Sequence, residues 1–450
     1  MSRGADVVVV GAGIAGVAAA YELTVNHGIG RVVIVDPLPP LSLTSDKSTE
    51  CYRNWWPNLP MVGLMSRSID LLEKMAAHSG NVFALSRRGY LFVTAEDERF
   101  HRMVEDAHHT STLGAGPVRF HPGPIPYRAS PAEGFTGVPE GADILVGPEE
   151  VLAHFPYMTN QAVGAIHVRR AGWFSAQQLG AWMLDQGKEG GLEMVVDEVI
   201  GIEVSAGAIR SVSLASGDEI ATDVVIDAAG PMAGKVAAMA GVDLPLFSEL
   251  HIKVAYRDHL GVVPRDAPMI IWSDTQLLDW SDQEREALAA QGRDDLLGGM
   301  PVFCHGRPEG GAGSTYLLGL WEYHGVVQEP TWPLPEDPLY PEVVLRGLTS
   351  MVPGFDVYRD RLPHSVVDGG YYTKTQENRP LVGPAGPSGF NLIAGLSGFG
   401  VMVAAGAADL LAGHIIGAEL PPYSEAFRLD RYDDPGYMAS ISALHSSGQL

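Results

Sequence analysis

The chain has 450 residues, of which 46% are hydrophobic and 19% charged, and its formal net charge is −24. These values are typical of a globular protein with two or three domains, and the negative charge argues against nucleic acid or an anionic membrane as a partner. The two cysteines, Cys51 and Cys304, provide neither a disulfide framework nor a metal cluster, so we expect a cytoplasmic protein without a metal site.

Four valines at 7–10 open the chain and predict a buried parallel strand. A second predicted strand at 31–35 ends in Asp36, which is suitably placed to hold a ribose hydroxyl. Between the strands lie a G-x-G-x-x-G motif and a predicted helix, namely Gly11, Gly13, Gly16 and 14–26. Together they predict a dinucleotide site with the pyrophosphate at the helix N-terminus. The pattern fits NAD and FAD alike, and the alternative is a tight turn without a nucleotide.

Residues 48–56 combine hydroxyls, a guanidinium and two indoles, which is an unusual mixture for a connection. One interpretation is that Ser48 and Thr49 contact a cofactor while Arg53 and the indoles border the reaction site. The alternative is a loop whose hydroxyls only cap backbone groups and whose aromatic rings fill the core.

The middle of the chain alternates between the two types of secondary structure. We predict helices over 61–78, 96–113, 176–189, 232–240 and 282–291, and strands over 89–94, 193–196, 199–204, 209–214, 220–227, 252–256, 301–305 and 315–323. The Gly- and Pro-rich stretch 114–147 is a long loop, either a lid or a solvated insertion, and helix 282–291 is a second candidate lid. The apolar stretch 391–417 carries Asp409 and His414, which favours a strand, a turn and a buried helix over a membrane span.

Small residues return in the last third of the chain, after a region of strands and Gly-rich turns. This return predicts a discontinuous nucleotide domain that a substrate domain interrupts. We expect a Rossmann-like α/β domain over 1–84, 148–236 and 366–424, an antiparallel-sheet α+β substrate domain over 85–147 and 237–365, and a C-terminal tail over 425–450.

Several motifs occur in an order that resembles the FAD-dependent D-amino-acid oxidase superfamily, and within it the sarcosine oxidase, glycine oxidase and dimethylglycine dehydrogenase branch. They are the glycine motif with Asp36, Ala228-Ala229-Gly230-Pro231, Tyr372-Thr373-Lys374-Thr375, Arg379-Pro380-Leu381-Val382-Gly383 and Gly395-Leu396-Ser397-Gly398-Phe399-Gly400. The resemblance covers most of the chain and implies FAD, with its ring system at the junction of two domains.

The resemblance also implies which residues hold the cofactor. Asp36 and Pro37 would lie at the adenosine ribose, and Val199 would give backbone contacts toward the adenine. Ser48 and Thr49 would lie near the pyrophosphate and the ring. The other implied contacts are Gly11, Gly13, Ile14, Ala15, Gly16, Ala229, Gly230, Gly395, Gly398, Phe399, Gly400, Val401 and Met402.

The chain departs from the sarcosine oxidases at positions that matter for chemistry. Met402 replaces a lysine that helps to bind the substrate carboxylate, and Phe399 replaces a histidine. Gly370 replaces a cysteine that attaches flavin, and 47–56 contains no histidine, so we expect non-covalent FAD. The apolar replacements favour a larger or aromatic amine, whose carboxylate Arg53 could still hold through two parallel hydrogen bonds.

Oxidation of an amine by a flavin moves a hydride from the carbon beside an uncharged nitrogen, so the site needs a place for a proton. Tyr372 matches a family position near the substrate, and His324 is a candidate base. Trp321 is a candidate wall residue, although the alternation along 315–324 leaves open which face meets the cavity. The family's oxygen-activating lysine has no obvious counterpart, so the electron acceptor is oxygen or another redox carrier.

The sequence therefore predicts FAD-dependent oxidation of a primary or secondary amine, such as an amino acid or a related metabolite, to an imine. The alternative is a flavin-binding assembly or scaffold protein of the same family. An NAD(P)-using enzyme would need a second nucleotide motif, which the sequence does not contain.

Overall fold

A computed structural model describes residues 3–442 apart from 312, 324, 326 and 336. The candidate base His324 therefore lies outside the described residues. The described chain forms two large sheets, one of six strands and one of nine, together with smaller sheets and the helices that cover them.

The inner strands of the six-stranded sheet are buried on both faces, which is why their sequences are runs of β-branched and apolar residues, whereas the edge strand Glu193–Val196 is partly exposed. In spatial order its strands are Glu193–Val196, Val32–Asp36, Val7–Val10, Val225–Asp227, Phe390–Ala394 and Leu381–Pro384. All neighbours pair in parallel except the last two, which are antiparallel. The predicted nucleotide strand is thus central.

Helices pack on this sheet. They are Ile14–Tyr21, continued by the π-helical turn Glu22–Asn26, then Leu59–Ser79, Ala176–Glu189, Ala233–Met239 and Gly400–Ile416. The segment Ser397–Ile416 is long and apolar enough to cross a membrane, with a mean hydropathy of 1.7, but 72% of it is buried inside the fold. It packs against Ile14–Tyr21 and Leu59–Ser79, which confirms the predicted buried helix.

The nine-stranded sheet supplies the second half of the fold. In spatial order its strands are Ser365–Lys374, Phe247–Arg257, Tyr316–Leu320, Cys304–Glu309, Met269–Trp272, Tyr90–Thr94, Gly164–Val168, Ala142–Val146 and Val118–His121. Two neighbouring pairs are parallel and the others are antiparallel. The helices of this half are Asp97–Thr110 with the π-helical turn Ser111–Ala115, Pro148–His154, Asp282–Ala290 and Tyr340–Met351.

Smaller elements join the two halves. A four-stranded sheet contains Arg3–Gly4, Glu219–Ala221, Ala208–Leu214 and Val199–Ser205, and two-stranded sheets pair Gln276–Leu277 with Gly299–Met300 and Cys51–Arg53 with Ala171–Trp173. Short 3₁₀ helices span Gly230–Met232, Asp294–Leu296, Pro353–Tyr358, Ser397–Phe399, Ser424–Phe427 and Leu429–Asp433, and a last helix spans Pro435–Ser442. The pairing of Arg53 with Ala171 fixes the backbone of a predicted site residue.

The predicted division into domains differs from the observed sheets at two limits. The nine-stranded sheet includes the strands Gly164–Val168 and Ser365–Lys374. The predicted boundaries at 148 and 366 assigned almost all residues of these two strands to the nucleotide domain. The predicted strand 220–227 is two strands in different sheets. The hydroxyl of Thr222 accepts a hydrogen bond from the N–H of Val224 at 3.2 Å and turns the chain between them.

Two stretches predicted to be irregular are ordered by buried ion pairs. The predicted loop 114–147 contains the last two strands of the nine-stranded sheet, and there Asp143 pairs with Arg119 at 2.6 Å and with Arg169 at 3.0 Å. In the predicted tail, Arg431 lies 2.7 Å from Glu377, and their side chains are 4% and 2% exposed. Long-range charge pairing of this kind leaves no local pattern in the sequence.

Candidate active site

The glycine motif forms the turn between the strand Val7–Val10 and the helix Ile14–Tyr21. Gly11 has φ 107°, and a Cβ at this position would lie 2.5 Å from the carbonyl oxygen of Ala228. A Cβ on Gly16 would lie 2.0 Å from the carbonyl oxygen of Gly11, so only glycine allows the helix and the strand to approach this closely. The helix begins without a side-chain cap, as it does where a phosphate binds its first N–H groups.

The turn of the glycine motif and the start of the helix Ile14–Tyr21 together form a cradle, which two further side chains complete. The carboxylate of Asp36 accepts hydrogen bonds from the N–H of Ala12 at 2.7 Å and of Leu38 at 2.8 Å, which hold it at the end of the second strand. The hydroxyl of Ser45 accepts a hydrogen bond from the N–H of Ile14 at 3.0 Å. Sequence reasoning missed Ser45, whose only signal was its position in a hydroxyl-rich connection.

The predicted cofactor ligands Ser48 and Thr49 form hydrogen bonds within their own loop and with side chains of the nine-stranded sheet. The hydroxyl of Ser48 accepts from the N–H of Glu50 at 2.9 Å, which is the capping role named as the alternative. Arg307 donates to the carbonyl of Thr49 at 3.0 and 2.6 Å, and Lys253 donates to the carbonyl of Ser48 at 2.7 Å. These bonds fasten the loop at the junction of the two halves of the fold.

Further predicted cofactor residues follow the neighbouring strands of the six-stranded sheet. Ala229 and Gly230 come after Val225–Asp227, and Gly395 comes after Phe390–Ala394. Because the carboxyl ends of parallel strands meet at one edge, these residues share an edge with the glycine motif. Val199 opens a strand of the four-stranded sheet and is buried.

The turn at 395–400, called the late turn, and the helix that follows it bring Phe399 and Met402 close to the loop that carries Arg53. The ring of Phe399 packs edge-on against Trp56, with the ring centroids 5.1 Å apart. The carbonyl of Met402 accepts a hydrogen bond from the hydroxyl of Ser68 at 2.6 Å. Both predicted residues have buried side chains, so they give this region an apolar surface.

A cavity of about 440 Å³ opens between this loop, the nine-stranded sheet and the helix Asp97–Thr110. Its apolar walls include Trp55, Trp56, Phe92, Met103, Ile166 and Phe303. Arg53 is the most buried arginine of the lining, and its guanidinium lies 4.5 Å from the ring centroid of Trp56 and 5.7 Å from that of Tyr90. Burial lowers the pKa of Arg53, but a guanidinium keeps its charge in proteins.

The helix beside this cavity is neither of the two candidate lids. Residues of Asp97–Thr110 form one wall, whereas the described parts of 114–147 and 282–291 contribute none of the lining. The helix Asp282–Ala290 instead pairs with the next helix through Glu284 and Arg346.

Trp321, a predicted site residue, lies apart from the cavity. Its indole N–H donates to the carbonyl of Pro301 at 3.0 Å, within the core beneath the helix Tyr340–Met351. A Cβ on Gly319, which shares this face, would lie 2.8 Å from the side chain of Val344. The opposite face of the segment therefore carries Glu322 toward Tyr372, and the structure does not bring Trp321 to the site.

A buried polar cluster surrounds Tyr372. The ring of Tyr372 stacks on His251 with centroids 3.9 Å apart. His251 lies between two carboxylates, with Nδ1 3.0 Å from Glu322 and Nε2 3.3 Å from Glu249. The ammonium of Lys374 lies 2.6 Å from the same oxygen of Glu249. An imidazole held in this way can take up or release a proton.

The electrostatics of this cluster favour a charged His251 beside charged carboxylates. Burial lowers the pKa of His251, but the charge of Glu322 and the hydrogen bond to Glu249 outweigh it, so its pKa is raised. The hydrogen bond from His251, together with Lys374, lowers the pKa of Glu249 to about 2. Burial raises the pKa of Tyr372, whose phenol stays protonated at neutral pH. Sequence reasoning missed Glu249, His251 and Glu322 because distant strands bring them together.

Replacing Glu249 tests this cluster through the pH dependence of stability. A carboxyl whose pKa is lowered on folding stabilises the protein above its ordinary pKa of 4.5, and this contribution is lost as the pH falls toward about 2. We expect Glu249→Gln to lower the free energy of unfolding by about 2 kcal/mol at pH 7, and the difference from the wild type to shrink below about pH 4.5. Denaturant unfolding across this pH range measures it.

The matched control is Glu219→Gln, at an exposed position of the four-stranded sheet. It should change stability by less than about 0.5 kcal/mol. A constant difference between Glu249→Gln and the wild type at every pH would contradict the assigned charge pairing.

The cradle fits the pyrophosphate and ribose of FAD. A Cβ on Gly13 would lie 3.3 Å from the hydroxyl of Ser45, so glycine leaves more room at the helix start than any other residue. A family model described as FAD dependent oxidoreductase (DAO) matches residues 6–413. The chain belongs to this family. FAD is accordingly its cofactor, and the antiparallel sheet forms the second half of the DAO fold. The glycine motif and the strand ends beside it are the residues that would hold the FAD.

Solved structures with the same fold span nearly the whole chain. L-Proline dehydrogenase from P. horikoshii has a TM-score of 0.73 at 20% identity, covering 96% of this chain and 99% of that one. Glycine oxidase from Geobacillus kaustophilus has a TM-score of 0.72 at 16% identity, with coverages of 95% and 99%. L-α-Glycerophosphate oxidase from Mycoplasma pneumoniae with FAD bound has a TM-score of 0.67 at 16% identity, covering 95% of this chain and 99% of that one. No curated protein sequence matches this chain.

Proposed function

We propose that this DAO-family protein oxidises a primary or secondary amine, such as an amino acid or a related N-alkylated or aromatic metabolite, to an imine. The observation that carries the proposal is the cavity in which Arg53 lies among aromatic walls. A guanidinium can hold a carboxylate through two hydrogen bonds, while the aromatic walls hold an apolar body. The structural neighbours named for proline and glycine, both amines, support the same chemistry.

Bound FAD supplies the hydride acceptor for such a reaction. The residues of this chain orient the amine and keep its nitrogen uncharged. Apolar groups such as Trp56, Phe399 and Met402 disfavour an ammonium, because burial opposes the charged form of an amine.

The proton released by the amine needs an acceptor near the flavin. We propose that the cluster of Tyr372, His251 and Glu322 relays this proton. The charged His251 passes its own proton to Glu322, 3.0 Å away, and takes up the released one. Tyr372 is a positioning residue in this proposal, because its phenol keeps its proton and its ring holds the imidazole by stacking.

We also propose that the FAD is held without a covalent bond. Position 370, where a flavin-linking cysteine would stand, is a glycine whose Cβ would lie 3.2 Å from the Cα of Thr44. Cys51 is buried, with its Sγ donating to the carbonyl of Thr49 at 3.2 Å, and Cys304 lies in the core of the nine-stranded half.

An anaerobic spectral screen tests the proposed activity. The FAD-loaded protein is mixed with sarcosine, D- and L-amino acids and aromatic N-alkyl amines, and we expect at least one class to bleach the flavin absorbance. Admitting air then tests the acceptor: recovery of the absorbance within seconds indicates oxygen, and slow recovery indicates another redox carrier. Glycerol phosphate is the control, because it carries a hydroxyl where an amine carries nitrogen. A flavin that no amine bleaches would contradict the proposal and favour the scaffold alternative.

A further inference from the structure

The cavity runs along the strand Tyr90–Thr94 of the nine-stranded sheet. Arg53 lies near its beginning, over the ring of Tyr90, and Phe92 lines the cavity at its middle. Ser273 lies at its end, where its N–H donates to the carbonyl of Val93 at 2.8 Å. At about 3.3 Å per residue this strand is about 13 Å long from its first to its last Cα, so Arg53 and Ser273 border opposite ends of the cavity.

The end far from Arg53 contains hydrogen-bonding groups without partners. The helix that begins at Asp97, just after this strand, places Arg99 in the cavity wall. Within the part of the chain that the structure describes, the buried Nε of Arg99 and the buried hydroxyl of Ser273 have no hydrogen-bond partner. Buried polar atoms in native proteins are nearly always paired, so Arg99 and Ser273 bring unused hydrogen-bonding groups to this part of the cavity wall.

The charge of this end is positive, although the chain as a whole carries −24. Arg99, Arg102 and Arg379 all line the cavity. Arg102 is already paired with Glu98 at 2.9 Å. The lining acids do not neutralise Arg99 and Arg379, because Asp106 lies exposed on the helix and the carboxylate of Glu377 pairs with Arg431 at 2.7 Å. Among the described residues no acid pairs with Arg99 or Arg379, so an anion bound in the cavity would meet positive charge that the protein itself does not compensate.

We infer that the substrate carries a second acidic group, which Arg99 and Ser273 bind at the end of the cavity opposite Arg53. This inference rests on the proposed function, since it takes the cavity to be the substrate site. Between the two ends the substrate presents an apolar spacer to Phe92, Ile166 and Phe303. The substrate class is thus an amine with two anionic ends, such as a dicarboxylic amino acid or an N-substituted one.

A pair of non-reacting probes of equal chain length tests the inference without any turnover. Suberate has a carboxylate at both ends, and octanoate has one. Isothermal titration calorimetry on the FAD-loaded protein should give an affinity for suberate about tenfold higher than for octanoate. A tenfold gain in affinity is what one additional charge-assisted hydrogen bond is expected to contribute. In Arg99→Gln the ratio should fall to about one, and in Arg99→Lys part of the preference should remain.

Arg359→Gln is the matched control, because it removes the same charge from a surface position that pairs with Asp279. It should leave the ratio unchanged. Equal binding of the two probes by the wild type, or an unchanged preference in Arg99→Gln, would overturn the inference. The two proposals can fail separately. If amines bleach the flavin but the protein does not prefer suberate, only this inference fails. If the preference for suberate depends on Arg99 but no amine bleaches the flavin, only the proposed function fails.

Discussion

Gly16→Ala is expected to remove most of the bound FAD and to lower the free energy of unfolding by more than about 3 kcal/mol. The added Cβ would lie 2.0 Å from the carbonyl oxygen of Gly11 and 3.2 Å from the side chain of Val9. Neither contact can relax through a flexible side chain alone, so the helix must move away from the central strand. That movement would displace the N–H groups that we expect to bind the pyrophosphate.

The measurements are the flavin absorbance per protein after purification and thermal unfolding with and without added FAD. Gly234→Ala is the matched control, because a Cβ at this position in the helix Ala233–Met239 has no neighbour within 4 Å. Alanine there should stabilise the helix by a few tenths of a kcal/mol. Normal flavin content and stability in Gly16→Ala would mean that the close approach of helix and strand is not required.

Arg53→Gln is expected to lower the kcat/KM of amine oxidation by about 100-fold while the flavin content stays normal. Removing one partner of a buried, hydrogen-bonded charge pair costs about 2–5 kcal/mol, and a factor of 100 corresponds to about 2.7 kcal/mol. Arg53 has a buried side chain in the cavity wall over Trp56, so water cannot replace its contact with a carboxylate. Rapid anaerobic mixing with the best amine of the screen measures the rate of flavin reduction.

The conservative variant Arg53→Lys separates charge from geometry. It should recover part of the lost rate, because an ammonium keeps the charge but not the two parallel hydrogen bonds. A reduction rate in Arg53→Gln equal to that of the wild type would show that the substrate is not held by this residue, whereas a loss of FAD would indicate a structural role.

Local rules explain why the cradle could be predicted from the sequence. The cradle is built from residues that lie close together along the chain, namely the strand Val7–Val10, the spaced glycines and Asp36. Each of these features meets a requirement of the local backbone. The late turn was predictable for a similar reason, since small residues follow directly after the strand Phe390–Ala394.

The cavity and the polar cluster could not be predicted in this way. Tyr90–Thr94 pairs with Met269–Trp272 on one side and with Gly164–Val168 on the other, and no local pattern specifies that register. The same holds for His251, which reaches Glu322 only because the strands Phe247–Arg257 and Tyr316–Leu320 are paired.

The sequence by itself determined a dinucleotide motif, the parallel strands beside it and the place of Arg53 in a mixed polar and aromatic loop, and the choice of FAD came from the family resemblance. Backbone conformation, glycine spacing and hydrophobic runs are properties of short segments, so they can be read without knowing the fold. Only the tertiary structure decided that Glu322 rather than Trp321 turns toward Tyr372, that Ser45 meets the helix start, and that Arg99 and Arg53 line one cavity. These relations depend on which distant strands share a sheet, because strand pairing sets the face on which each side chain lies.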